Sequence, residues 1–197
     1  MFQLQKWRKI CWIYFFSMFL LNLLLPEWCG KENGLIENFQ LVLLLAGGLF
    51  CRRNLTASPP QFVRLRHLWR AGCIYFFLLF MREISWGRAL ITLSDGSHIS
   101  YDQMGIYGKL VHPLVAVLIL LLFIYTYRSH FWQLLHFRHI PIDLFILMLL
   151  FIACAHIGER TALPYFHGEL AEELAETGAY LLMNVLIIYV SSKIQPH

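Results

Sequence analysis

The sequence predicts an all-α, polytopic membrane fold: about six spans in one integral domain covering 1–197, with both termini in the cytoplasm. Three observations predict it. The composition holds too little charge for a water-facing surface, the apolar runs have span length, and basic residues alternate with the runs. Of 197 residues, 58% are hydrophobic, 16% aromatic and 14% charged, and the mean hydropathy is +0.58. A soluble domain carries about 25% charge, so the missing polar surface implies lipid as solvent and a bilayer as the first partner.

Crossing about 30 Å of hydrocarbon takes about 20 mostly apolar residues. Six segments meet or approach that: 9–26, 35–51, 68–92, 110–127, 141–159 and 170–191. The first follows MFQLQKWRKI, which has the charged start of a signal peptide but no small-residue cleavage site, so it is read as a retained span. The second opens LIENFQL. Residues 54–61 (NLTASPPQ) then make the most evident turn, because Pro59 and Pro60 exclude helix. The third span is read as helix through Arg82, Glu83 and Arg88. The longest outer connection is 93–109, with turn chemistry at 94–97 (SDGS). The fourth span, LVHPLVAVLILLLFIYTY, is the plainest; the fifth ends in His156, Glu159 and Arg160, and the sixth opens on four glutamates.

Charge sets the orientation. Residues 1–9, 52–70, 128–143 and the tail hold eleven of the sixteen basic residues and one acid, Asp143, of twelve. Short loops rich in Lys and Arg stay in the cytoplasm, and four such segments alternating with the others require an even number of spans. The net charge of +4 comes from these loops and forms no nucleic-acid-reading module, so no nucleic-acid partner is expected. The five cysteines are far apart, without a CxxC pair. Four are expected to be buried thiols, and Cys29 to be exposed on the outer side.

The chemistry-bearing residues fall at the helix ends opposite the basic loops. Arg82 and Glu83 follow eleven uncharged, mostly apolar residues of the third span, and a charge at that depth costs at least ~2.5 kcal/mol unless it gains a partner or a wet cavity. On a continuous helix Glu83 would share a face with Trp86, with Ser85 and Arg88 close by. In the sixth span Glu169, Glu172 and Glu176 form one stripe with Glu173 beside it. The N-terminal dipole accounts for the first of these better than for Glu176. His156 and Arg160 share a face in the fifth span, His112 opens the fourth, and Glu37 and Gln40 lie one turn apart in the second. Five of six helices thus offer polar groups to one leaflet. His112, His156, Glu172 and Glu176 are the candidate metal ligands, since imidazole and carboxylate suit a divalent metal, although no HExxH or HxxxH spacing is present. Glu83, Ser85 and His156 are the candidate catalytic groups. Glu37, Gln40, Arg82, Trp86, Arg88 and Arg160 are the candidate ligand-binding groups.

KENGLIENFQ, FMREISWGR and ELAEELAE, in this order across nearly the whole chain, resemble a family of small bacterial inner-membrane proteins with ExGxxExxQ, REXSWGR and EExxE elements. The resemblance rests on Glu32, Gly34, Glu37 and Gln40, on Arg82 to Arg88 without Ile84, and on Glu172, Glu173 and Glu176. It implies a bacterial inner membrane and names no reaction. A more distant likeness is to membrane hydrolases similar to alkaline ceramidases, whose HxxxH the chain lacks.

Three functions remain in view. The first is a binding protein that takes a lipid, a metal or a membrane-protein partner through a polar pocket in the outer leaflet. The second is a hydrolase or transferase, metal-dependent or not, acting on a lipid-like substrate. The third is a transporter or channel, disfavoured because the cytoplasmic halves of several spans are almost wholly apolar and no inverted repeat is visible.

Overall fold

A computed structural model describes residues 4–31, 34–91, 99–130, 141–160 and 167–194. Glu32, the turn at 94–97 and Arg138 fall outside this set, as does the side chain of Glu159. Every regular element among the described residues is helical: α1 Leu4–Leu24, α2 Leu35–Ala57, α3 Val63–Glu83, α4 Ile106–Ser129, α5 Ile142–Arg160 and α6 Gly168–Ile194. Short 3₁₀ turns cover Glu27–Gly30, Ser85–Leu90 and Asp102–Met104. Three helical segments are long and apolar enough to cross a membrane: the one ending in α2 at Ala57, α4 and α6.

The chain divides into a terminal unit (Met1–Leu43 with Leu135–His197) and a central unit (Leu44–Leu134), so α2 contributes to both. In the terminal unit α6 is the axis. Leu170, Leu174, Leu182 and Val185 recur at helical spacing on its buried face and pack with Leu144, Leu147 and Phe151 of α5 and with Cys11, Phe15 and Met18 of α1. Phe151 stacks edge-on to Phe15 at 5.4 Å, and its ring lies where a side chain on Gly178 would be. Only glycine lets α5 approach α6 this closely. The Tyr14 hydroxyl donates to the Leu174 carbonyl at 2.9 Å, tying α1 to α6.

The central unit repeats the device with different helices. Gly47 of α2 receives the ring of Phe76 of α3, and Phe50 meets Trp69 edge-on at 6.5 Å. Between α3 and α4, Arg70 lies over the ring of Tyr125 at 5.6 Å, and the His67 ring meets the same tyrosine at a tilt of 50°.

Three local expectations change. The turn expected at 54–61 begins later: α2 runs on to Ala57, with Asn54 Nδ2 donating to the Phe50 carbonyl, and stops where Pro59 forbids continuation. Cys29 is buried, not exposed: the Glu27–Gly30 turn folds Gly30 against the backbone of Leu170 and carries the thiol into the core. The helix expected through 92 stops at Glu83, for reasons that belong to the site.

Candidate functional site

The polar groups form two clusters, one in each unit. In the terminal unit the organiser is Gln40, fully buried on α2 one turn after Glu37, itself 7% exposed. Its Nε2 donates to the backbone carbonyl of Glu173 at 2.9 Å and to the carboxylate Oε2 of the same residue at 2.8 Å. The hydroxyl of Thr177 donates to that carbonyl as well, at 2.8 Å. With both amide protons so committed, the orientation of Gln40 is settled, and its Oε1 has no hydrogen-bond partner among the described residues. A buried acceptor left this way costs about 1–3 kcal/mol.

One carboxylate oxygen of Glu173 and one of Glu176 lie within 4.8 Å of each other on α6. Glu172 is half-buried on the same helix and Glu169 is exposed at its start, where the N-terminal dipole favours it. His156 and Arg160 of α5 are both exposed. A second polar knot lies at the start of α6. His167 Nδ1 sits 2.7 Å from Glu27 Oε1, and the His167 carbonyl accepts from Asn22 Nδ2 at 2.9 Å.

In the central unit Arg82 and Glu83 end α3, with Arg82 Nε 3.7 Å from Glu83 Oε1; Arg82 is exposed and Glu83 buried. Beyond Ile84 three successive residues have positive φ: Ser85 (47°), Trp86 (54°) and Gly87 (89°). Two non-glycine residues in that region store about 1–3 kcal/mol each, and surrounding contacts must hold them there. Those contacts are two tyrosines. The Tyr101 hydroxyl donates to the Ser85 carbonyl at 3.3 Å and the Tyr107 hydroxyl to the Trp86 carbonyl at 3.0 Å. The carbonyls that a continuing helix would have used internally are thus taken from outside, which is why the helical face expected for Glu83, Ser85, Trp86 and Arg88 does not form.

Arg88 turns back, stacking over Tyr101 at 4.9 Å while its Nε donates to the Ile99 carbonyl at 2.8 Å. His112 packs edge-on against the same tyrosine at 5.6 Å. Trp86 is buried and meets Phe77. Among the described residues of this unit, no carboxylate or imidazole hydrogen-bonds the Ser85 hydroxyl.

Within the terminal unit the structure brings together Gln40, Glu173 and Glu176. Within the central unit it gathers Ser85, Trp86, Arg88 and His112 around Tyr101 and Tyr107. His112 belongs to a different unit from the other three candidate metal ligands. Sequence reading placed Glu173 beside the glutamate stripe without a role of its own, and missed Tyr101, Tyr107, Thr177 and Asn22, because each of these four acts through a backbone carbonyl that no sequence spacing encodes. Arg8 pairs with Asp143 at 2.7 Å, a contact that the sequence reading did not predict.

In comparisons with protein families, curated proteins and solved structures, nothing matches the chain.

Proposed function

We propose that the chain is a multi-pass membrane protein of the bacterial inner membrane, with six spans and both termini cytoplasmic, whose role is to bind a ligand at the helix ends facing away from the cytoplasm. The membrane reading is supported by an inverted distribution of polarity. Asn22, Glu37, Gln40, Glu83 and Thr177 are buried, whereas Ile13, Phe16, Leu24, Ile106, Phe123 and Ile142 are more than 60% exposed. Along α4 only Gly108, Val111 and Ser129 are buried. In water such a surface would aggregate; in hydrocarbon it is the ordinary outer face of a span.

The observation that carries the binding role is Gln40. An amide whose donors are both spent on Glu173, with its oxygen unpartnered beside a glutamate helix, offers oxygen ligands and no nitrogen or sulfur. Such a set suits a hard cation of the magnesium or calcium kind. The cation would remove the cost of the buried Oε1 and draw the Glu173 and Glu176 carboxylates together.

The test is calorimetric titration of magnesium and of calcium, separately, into detergent-purified protein, with thermal unfolding in parallel. One of the two binds and stabilises the fold by about 2.7 kcal/mol at a hundredfold excess over Kd, read as a midpoint that rises with concentration. Gln40→Leu and Glu173→Gln weaken binding at least about tenfold. Absence of binding for both ions in the wild-type protein contradicts the reading.

A second reading, an enzyme acting on a lipid-like substrate, is favoured by the strained Ser85–Trp86 backbone, since stored strain concentrates at functional sites. It requires that Ser85→Ala and Glu83→Gln each abolish a turnover of vesicle lipid. Unchanged lipid in the presence of wild-type protein removes it.

A further inference from the structure

Away from the Gln40 cluster, the terminal unit contains a cavity of about 150 Å³ lined by Met18, Phe19, Asn22, Cys154, Ile157 and two small residues, Gly158 and Ala171. Its wall is apolar except at Asn22 and the Cys154 thiol. Asn22 is 1% exposed, and its Nδ2 is committed to the His167 carbonyl, so the amide cannot be turned round; its Oδ1 has no partner among the described residues. Phe19 and Ile157, 44% and 60% exposed, bring the cavity to the surface between α1 and α5.

The chemistry of an occupant follows from these facts. Asn22 lines the cavity, and its unpartnered acceptor, closed to water in this structure, asks for one hydrogen-bond donor on an apolar body, reached by a small shift of the side chain. A phosphate or carboxylate would meet a lone pair instead of a donor and would lose its hydration without replacement. A pure hydrocarbon would fill the space but leave Oδ1 unsatisfied. An isolated water would have too few polar partners to be held, since a buried water makes about three hydrogen bonds.

We infer that this cavity takes the hydroxyl head of an uncharged membrane alcohol, with Asn22 Oδ1 accepting the hydroxyl proton and the tail leaving past Phe19 and Ile157. The site is independent of the cation reading, sharing no residue with it. One neutral hydrogen bond gives an alcohol an advantage of about threefold to tenfold over the matched alkane.

Cys154 supplies the readout, because it lines the cavity and is only partly buried. Protein in nanodiscs is alkylated with N-ethylmaleimide in the presence of dodecan-1-ol, dodecane or dodecanoate, and modification of Cys154 is followed by peptide mass spectrometry. Cys73, partly buried in the central unit, serves as internal reference. Dodecan-1-ol should slow Cys154 relative to Cys73 at least about threefold more than dodecane does, and dodecanoate should not protect. Asn22→Leu should erase the difference between alcohol and alkane. Ile157→Trp, at an exposed position, should slow Cys154 without any additive and leave nothing further for the alcohol to protect. If Asn22→Leu fails to fold, Ile157→Trp and the three-ligand comparison decide. Equal protection by alkane and alcohol, protection by dodecanoate, no protection at all, or full alcohol protection in either folded variant would overturn the assignment.

Discussion

The two units solve one problem in different ways. Each must place charged residues within an otherwise apolar helical run. In the terminal unit α6 stays continuous, and a glutamine on another helix spends both amide protons on Glu173. In the central unit α3 ends, the next residues turn left-handed, and two tyrosine hydroxyls take up the released carbonyls. One unit brings a partner to the charge, and the other breaks the helix that carries it. The contrast teaches that a charge inside an apolar run does not by itself reveal whether the run remains a helix.

The largest expected effects test what the units share. Phe151→Ala and Phe76→Ala each empty a ring seat on a glycine, and each should lower stability by about 3–5 kcal/mol, read as thermal unfolding in detergent. A large loss in one and none in the other would break the parallel. Next come the changes that separate them. Gln40→Leu should cost about 1–3 kcal/mol by removing the two hydrogen bonds that its amide gives to the Glu173 carbonyl and carboxylate. Gly87→Ala should cost about 1–2 kcal/mol through its φ of 89° alone, since the added methyl would meet nothing nearer than the Tyr107 hydroxyl at 3.9 Å. A Gly87→Ala protein as stable as wild type would mean that the left-handed segment is not held as described. Tyr107→Phe should cost about 0.5–1.5 kcal/mol, and hydrogen exchange should rise at residues 84–91 while staying unchanged along α6. The smallest effect is Arg8→Gln, at most about 1 kcal/mol, because the Arg8 and Asp143 side chains are 43% and 29% exposed and the pair is screened.

The helical class and the positions of all six helices were legible in the sequence, because apolar run length and proline breaks are local signals. Also legible was that Glu37, Gln40 and the α6 glutamates are polar groups in apolar runs, where burial demands a partner. What could not be read was which partner each would find. Gln40 and Glu173 are 133 residues apart, and Tyr101 and Tyr107 act on carbonyls, which every residue carries. The left-handed turn was hidden for a related reason: Ser85 and Trp86 have no intrinsic preference for positive φ, and only the tertiary contacts hold them there. Cys29 was misread because its burial depends on a 3₁₀ turn folding back onto α6, which no periodicity announces.

The membrane orientation underlies the whole account, and single introduced cysteines test it most directly. Asp102, on the connection before α4, and Thr56, in the last turn of α2, are both exposed, at ends assigned to opposite sides. With a membrane-impermeant maleimide, Asp102→Cys should label in intact cells and Thr56→Cys only after permeabilisation. Labelling of Thr56→Cys in intact cells, or recovery of both variants in the soluble fraction, would contradict the account.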